Sequence, residues 1–535
     1  MIPLSQYSLD LNPVQTVHFR ELEIAGVSNH SGKIGKNYIF CAVRGASRDG
    51  RAFIADALKA GASAVVSDDP ELELPENIPH LIVKNAAHAW GLLCQTEAGN
   101  PARSLHLHAV TGTNGKTTTA YLLRKLISEG TGERCGLIST IKYDTGMDSP
   151  EESAARTTPD AKEFQRILND MIRMKCTHAV MEASSHGLHQ KRMGNALCDT
   201  AIFSNLTGDH LDYHHDMESY FQAKRTLFTE HLSPNGHAVI NIDDPWGKRL
   251  AAELGEKAVT FSLKGKADCM AENIRMTPDR SAFLLNFRDI RLNLETTLIG
   301  LHNISNLTSA VLAALLLGIK PEKIAEILKS PFSVPGRLEP FSLPNGAMVY
   351  VDYAHTDDAL ERVLTALRPL CRNHLTAVFG CGGDRDRTKR PRMAEVCGRL
   401  ADLTVITSDN PRTEDPLAII SEVKQGMPAG KEFRIEPDRA KAIHLAISLS
   451  TPGDIILIAG KGHETYQEIN GVRTPFDDRE VVRSCGGIHA GIRELPPITK
   501  RILEMETKIP QVPTDWDYRD ELSETLSEKY GIKSD

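Results

Sequence analysis

The chain has no Cys-x-x-Cys pair among its ten cysteines, so neither a zinc knuckle nor a disulfide framework is indicated and the thiols read as reduced. Long apolar runs are missing as well: the longest, Ala310 to Ile319, is about half a membrane span. Met1 to Pro13 lacks both a basic opening and an apolar core, which gives no sign of a signal peptide. Basic residues are not in excess. With 62 Lys and Arg against 70 Asp and Glu, the net charge of -8 argues against a coat for nucleic acid, whose phosphates demand surplus cations. The expectation is a cytoplasmic protein, a monomer acting on small molecules, with no nucleic-acid and no membrane partner.

What is present is an ordinary globular composition, 41% hydrophobic and 25% charged, in 535 residues, enough for about three domains. Residues 1–100 alternate strand-like runs (Tyr38 to Val43, Ala64 to Val66, Leu81 to Val83) with a helix at Arg51 to Ala60, a small α/β domain ending near Asn100-Pro101. Residues 101–333 form a central domain. Val334-Pro335-Gly336-Arg337 reads as a hinge, and 334–490 returns to strand, helix, strand (Met348 to Tyr353, Asp358 to Leu367, Leu375 to Phe379, Leu403 to Thr407, Ile455 to Ile458), a Rossmann-like pattern. Gly380-Cys381-Gly382-Gly383-Asp384 lacks the Gly-x-Gly-x-x-Gly order, which argues against NAD. A charged, Pro-interrupted tail fills 491–535, with a helix expected at Glu521 to Lys529. The fold class is α/β in three domains: a small N-terminal one, a central P-loop-type ATPase domain on a parallel sheet, and a C-terminal Rossmann-like one.

The central domain opens on the most informative stretch. A short buried strand, His106 to Val110, and a helical pattern, Ala120 to Ile127, flank Thr111-Gly112-Thr113-Asn114-Gly115-Lys116-Thr117-Thr118. Glycines at a strand-to-helix turn let backbone N–H groups face an anion, the helix N-terminus adds partial positive charge and Lys116 a full one. The Thr117 hydroxyl is then placed for the Mg²⁺ that accompanies a nucleotide. The spacing departs from the common P-loop, which has glycine where this chain has Val110.

Three further segments carry chemistry. The strand His178 to Met181 delivers Glu182 at its carboxyl tip, the crevice side of an open α/β sheet, where a carboxylate can ligate magnesium. After a strand expected at Ile202 to Leu206 comes Thr207-Gly208-Asp209-His210-Leu211-Asp212-Tyr213-His214. His210 and His214 stand four apart, as zinc ligands on a helix do, but the run leaves a strand end and no Glu follows the first His. Lys224 stands on an amphipathic helix, Glu218 to Phe228, and by spacing alone reads as a solvated surface lysine.

The runs Thr111 to Thr118 and Asn205 to His214 resemble the Mur ligases and their folylpolyglutamate synthetase relatives. That resemblance implies ATP and Mg²⁺ as cofactors, with Gly112, Thr113, Asn114, Gly115, Lys116, Thr117, Thr118, Asn303, Asn306, Arg337, Asp352 and His355 meeting the nucleotide. It makes Lys116, Glu182, His210 and Lys224 catalytic, and Thr117, Glu182, His210 and Lys224 the metal set, Lys224 as a carbamate formed with CO₂. On the donor side, the family's uridine site usually carries Asp-Ser-Arg where this chain has His30-Ser31-Gly32, leaving Ser31. Arg44, Gly45 and Ala46 fall in its second uridine loop. Thr157 and Thr158 match a Thr-Thr-Pro turn preceded here by Arg156 rather than Asn, and Ser184, Gln190 and Arg192 would hold the muramoyl-dipeptide.

For the incoming amino acid the resemblance points to Arg385, Asp409, Asn410, Pro411, Arg412, Gly460 and Glu464. The chemistry of Asp409-Asn410-Pro411-Arg412 then bears on specificity. A free α-amino, α-carboxyl terminus needs a donor fork, which Arg412 can supply bidentately, and acceptors such as Asp409, Glu464 and the Gly460 carbonyl. L-lysine has no distal carboxylate to neutralise, so this arginine favours meso-diaminopimelate. The implied reaction is an ATP-dependent, acyl-phosphate route adding meso-diaminopimelate to the D-glutamate of UDP-N-acetylmuramoyl-L-Ala-D-Glu in peptidoglycan precursor synthesis. The alternatives are a paralogue running the same chemistry on another donor or amino acid such as L-lysine, and a nucleotide-binding regulator without catalysis.

Overall fold

In the computed structural model, which describes residues 1–45, 48–146, 152–154, 156–278 and 280–490, three main β-sheets follow one another along the chain. Ala46 and the tail 491–535, with the helix expected at Glu521 to Lys529, lie outside the described residues. The first sheet has five strands in the order Gln15–Val17, His80–Ile82, Ala62–Ser67, Tyr38–Cys41 and Gly26–Ser28, parallel apart from the first pair. The helix expected at Arg51 to Ala60 is split into a 3-10 turn, Gly50–Phe53, and an α-helix, Ile54–Ala60. Asp49 causes the split: its carboxylate accepts from the Arg51 N–H and grips the Arg51 guanidinium, tightening the first turn.

The second sheet has eleven strands, seven of them parallel: Cys135–Ile138, His178–Glu182, His106–Thr111, Cys198–Phe203, Leu232–Asn241, Ala258–Ser262 and Cys269–Met276. Antiparallel strands extend both edges. Parallel strands are covered on both faces, and successive side chains go to opposite sides. Val110, Val180, Ile202 and Val239 therefore pack with the helices Lys116–Thr131 and Leu301–Leu316. Ala109, Met181, Ala201 and Ala238 pack on the other face with Ala161–Arg173 and Met217–Thr229. The strand at 202 ends at Phe203 rather than Leu206. Beyond it Asn205 is drawn off the ladder: its carbonyl accepts from the Thr113 N–H and its side-chain oxygen from the Asn114 N–H.

The third sheet orders Phe433–Ile435, Leu403–Ile406, Leu375–Phe379, Ile455–Ala459, Met348–Asp352, Glu339–Ser342 and Ile488–His489, the first five parallel. Tyr353 to His355, Gly380 to Asp384, Asp409 to Arg412 and Gly460 to Glu464 all leave carboxyl ends of neighbouring parallel strands, the side on which open α/β sheets bind ligands. Among the described residues no helix is long and apolar enough to cross a membrane.

Candidate active site

The phosphate loop leaves its strand through Gly112 and enters its helix through Gly115, with φ of 147° and 86°. A side chain at Gly115 would be strained there, and its Cβ would lie 2.2 Å from Asn306 Oδ1. Asn306 thus packs directly on the loop, and its amide donates to Asn303 Oδ1 at 3.3 Å, so the two asparagines form one buried pair beneath it. Thr113 Oγ1 and the Asn114 amide are tied to Thr207 and Asn205. Lys116 folds back onto the carbonyls of Gly112 and Thr113 at 3.0 and 2.9 Å, and burial pulls its ammonium below the usual lysine range. Thr118 is buried in the first turn of the helix.

Glu182 is fully buried at its strand end. Its Oε2 accepts from Thr117 Oγ1 at 3.1 Å and Thr140 Oγ1 at 3.0 Å, and its Oε1 from the Thr140 N–H at 2.8 Å. Thr140 follows the neighbouring parallel strand and donates toward Thr157 Oγ1 as well. Thr158 Oγ1 meets both the Glu182 carbonyl and Ser184 Oγ. Ser184 also caps the short helix Ser185–His189 by accepting from the Gly187 N–H. Arg192 spans Thr158 and Gln190, whose amide reaches the Tyr213 hydroxyl at 3.1 Å. Thr157, Thr158, Ser184, Gln190 and Arg192 therefore form one connected polar wall beside Glu182.

Lys224 is not a surface lysine. It is 1% exposed, because it shares the inward stripe of its helix with Tyr220, Leu227 and Phe228. Its Nζ donates to the Gly112 carbonyl at 2.8 Å and lies 4.6 Å from the Tyr220 ring centre. Burial, reinforced by Lys116, holds this amine well below the ordinary lysine range. His210 stands at the rim in a left-handed backbone conformation, its Nε2 3.5 Å from Asp209 Oδ2 and its ring edge-on to His186 at 4.9 Å. His214 is buried behind it, pushed down to about 4 by burial and by neighbouring cations. Among the described residues no group of three or more His, Cys, Asp and Glu is arranged as a ready metal cage.

The third domain brings residues to the same place. Arg337 Nη2 donates to Thr117 Oγ1 at 3.2 Å, and the guanidinium stacks over Tyr353 at 4.5 Å. Asp352 uses both oxygens to hold the Leu338 and Ala354 N–H groups, and burial raises its pKa. His355 Nδ1 pairs with the Tyr353 carbonyl. Asp358, which sequence reading passed over, accepts from Asn114 Nδ2 and Thr207 Oγ1, both at 3.1 Å.

On the carboxyl side of this sheet, Asn410 Nδ2 donates to Glu464 Oε2 at 2.8 Å, and the Asp409 carboxylate lies against Gly460. Arg412 is half-buried, in the left-handed region, with Nη1 on the Gly383 carbonyl at 2.7 Å; its backbone pairs with the hairpin Tyr466–Ile469/Val472–Pro475. Pro411 is buried and Arg385 is exposed. Behind the pocket Arg439 and Asp478, both wholly buried, make a bidentate pair that also ties the Ser408 and Ala459 carbonyls. Neither was singled out from sequence, where an Arg in a helix and an Asp at a helix start carry no motif.

The first domain's candidates stand apart from these clusters. Ser31 opens a 3-10 turn, Ser31–Lys33, in which His30 Nδ1 accepts from the Gly32 N–H at 3.1 Å. Imidazole thus takes the turn-capping place that a carboxylate could fill. Arg44 is exposed, 3.8 Å from Asp68, and the Gly45 N–H donates to the Arg48 carbonyl.

A nucleotide loop backed by a buried carboxylate and a buried lysine, and met by a second α/β sheet bearing an arginine, is the build of an ATP-dependent ligase. The chain belongs to the Mur ligase family. Its models match in order: the Mur ligase family catalytic domain over 23–101, the Mur ligase middle domain over 110–314 and the Mur ligase glutamate ligase domain over 336–462. The chain is 42% identical over 473 residues (88% of this chain, 96% of the relative) to UDP-N-acetylmuramoyl-L-alanyl-D-glutamate--2,6-diaminopimelate ligase of Gloeobacter violaceus. It is 40% identical to the protein of the same name from Aquifex aeolicus, covering 87% of this chain and 94% of that one. A solved structure of that name aligns with a TM-score of 0.63 at 36% identity, over 86% of this chain and 94% of the other. A folylpolyglutamate synthase of Mycobacterium tuberculosis complexed with ADP shares the fold, with a TM-score of 0.58 at 18% identity over 70% of this chain and 92% of that one.

Proposed function

We propose that the protein is an ATP-dependent, ADP-forming ligase joining meso-diaminopimelate to the D-glutamate of UDP-N-acetylmuramoyl-L-alanyl-D-glutamate, a step of peptidoglycan precursor synthesis. The observation that carries the reading is Arg412, set on the turn that also presents Asp409 and Asn410 and lies beside Glu464. A guanidinium on the same turn as one carboxylate, with a second carboxylate tied to that turn through Asn410, suits a zwitterionic amino-acid end. The relatives of that name, similar over nearly their whole length, support the same substrates. In this reading residues 1–100 bind the UDP-sugar, through Ser31, Arg44, Gly45 and Ala46. Residues 101–333 bind ATP, 334–490 bring in the amino acid, and 491–535 extend the chain. A cytoplasmic monomer acting on soluble small molecules goes with it.

The loop N–H groups and Lys116 hold the phosphates, with Asn303, Asn306, Arg337, Asp352 and His355 around the nucleotide. Thr157, Thr158, Ser184, Gln190 and Arg192 orient the donor so that its D-glutamate carboxylate attacks the γ-phosphorus and ADP leaves. The amine at the near end, once deprotonated, then attacks the acyl carbon, and phosphate departs. Arg385, Asn410, Pro411 and Arg412 hold the far end, with Arg412 on its carboxylate and Asp409, Glu464 and the Gly460 carbonyl on its ammonium. The donor set suits Mg²⁺: Thr117 and Glu182 offer hard oxygens in contact, and His210 stands at the rim. Bound there, the ion would neutralise charge building on the transferring phosphoryl group. Lys224, a buried amine held below its usual pKa, suits capture of CO₂ as a carbamate that adds oxygens to that set.

The test supplies purified protein with the UDP-muramoyl-dipeptide, ATP and a panel of amino acids that includes diaminopimelate and L-lysine. Amide formation with diaminopimelate, matched by phosphate release, is expected. Turnover without a muramoyl donor would instead favour a paralogue working on another donor, the reading that His30 and Arg156 make worth an arm of the experiment.

A further inference from the structure

Lys461 is 0% exposed, and the reaction just described gives it no role. Its Nζ lies 3.1 Å from Glu464 Oε2, 3.1 Å from Asn410 Oδ1 and 3.7 Å from Asp409 Oδ1, and it faces the Tyr466 ring at 5.4 Å. Asn410 closes a triangle, since its Oδ1 also accepts from the Glu468 N–H at 3.0 Å while its Nδ2 donates to Glu464 Oε2. Three segments meet at this one ammonium: the turn at Asp409 to Arg412, the turn at Gly460 to Glu464 and the hairpin that begins at Tyr466.

A buried lysine costs several kcal/mol of desolvation unless paired, so its presence needs a reason. A structural reason alone is weak, because Arg439 and Asp478 already tie the Ser408 and Ala459 carbonyls at the bases of the same turns. What Lys461 adds is orientation. By occupying Glu464 Oε2 and Asn410 Oδ1 it fixes which carboxylate oxygens turn away from it. Glu464 Oε1 is left outside the triangle, while Asp409 turns Oδ1, buried without a hydrogen bond, toward the lysine at 3.7 Å and sets its Oδ2 against Gly460.

We infer that Lys461 is a positioning residue for the amino-acid acceptor: it presents Glu464 Oε1 and Asp409 to the incoming ammonium while pinning the turn that carries Arg412. The inference rests on the proposed ligase reading. It predicts an effect on amino-acid binding that spares ATP, donor and phosphoryl transfer.

Hydroxylamine separates these possibilities, because it traps an acyl phosphate as the hydroxamate by attacking the acyl carbon and releasing phosphate without needing the amino-acid pocket. In Lys461→Gln the KM for diaminopimelate should rise about 30-fold or more, the fold-change for losing one side of a buried charged contact. The KM values for ATP and for the donor, and the rate of hydroxamate formation, should stay within about threefold of the unaltered enzyme. A diaminopimelate KM within about threefold overturns the inference, and so does loss of hydroxamate formation in step with ligation, which would make Lys461 a general prop. Lys461→Met, which removes the hydrogen bonds while keeping the length, must give the same split or the inference falls. If the unaltered enzyme forms no hydroxamate from the UDP-muramoyl-dipeptide and ATP, the ligase reading itself fails; normal hydroxamate and ligation with an unmoved KM sinks only the role of Lys461.

Discussion

At the scale of single residues, Lys224 is where spacing and structure part. A lysine on an amphipathic helix is ordinarily solvated, yet this one is four residues after Tyr220 and three before Leu227, on the buried stripe. In the structure the position on that stripe outweighs the habit of placing lysine outside. Glu182 differs: its place at a strand tip was legible, but Thr140, which with Thr117 encloses it, belongs to no motif. The Lys224 amine is buried and its ammonium disfavoured, which is the observation behind the proposed capture of CO₂. Lys224→Ala should lower ligation about 100-fold or more, the scale of losing one preorganised charge-stabilising group. Activity of the unaltered enzyme should fall in CO₂-stripped buffer and return with bicarbonate. Full activity in the variant, or indifference to bicarbonate, removes Lys224 from the chemistry.

At the scale of elements, the parallel strands were legible because their apolar runs are short, β-rich and bounded by turn residues. Boundaries were less so: the long-range pull on Asn205 ends its strand early in a way local pattern cannot see, whereas the helix start at Gly50 to Phe53 is set by a contact only two residues apart, Asp49 to Arg51. The amino ends of two of these strands hold something the motifs did not flag. His108 is wholly buried, its Nε2 3.1 Å from His178 Nδ1, and His178 Nε2 reaches Glu133 at 3.2 Å. Burial, with His178 and His106 adding like charge, pushes His108 down to about 3. Its folded-state value thus lies below that of the unfolded chain, which binds the extra proton first. Stability from this group is complete above the ordinary histidine pKa and is lost as pH falls from about 6.5 toward 3. His108→Leu should therefore flatten the acid limb, reducing the slope of unfolding free energy by about 1.4 kcal/mol per pH unit between about pH 6 and pH 4. Urea unfolding at several pH values measures it, and parallel curves for the two proteins would refute the assignment.

At the scale of the whole molecule, the central and C-terminal domains meet on the phosphate loop itself; the family resemblance brought Arg337 to the nucleotide, but nothing in the sequence pointed to Asp358. Asp358 sits in an ordinary helix start, yet it accepts from Asn114 and Thr207 of the central domain, while Arg337 reaches Thr117. Sequence motifs name what each domain carries, but which motif of one domain touches which of the other depends on how the hinge folds, and no local pattern encodes that. The two contacts have a common consequence. An acyl phosphate is destroyed by water, so a ligase of this kind gains from a third domain that stays docked while the intermediate exists. Asp358 holds the rim of the loop rather than a phosphate-facing position, so its removal should loosen docking more than nucleotide binding. In Asp358→Ala the ratio of phosphate released to amide formed should rise above one, several-fold at low amino-acid concentration, while the ATP KM changes by less than about threefold. Parallel assays of phosphate and ligated product measure this ratio. A ratio that stays at one would mean that water is excluded by the pocket walls alone, and that the contact from Asp358 to the loop plays no part in protecting the intermediate.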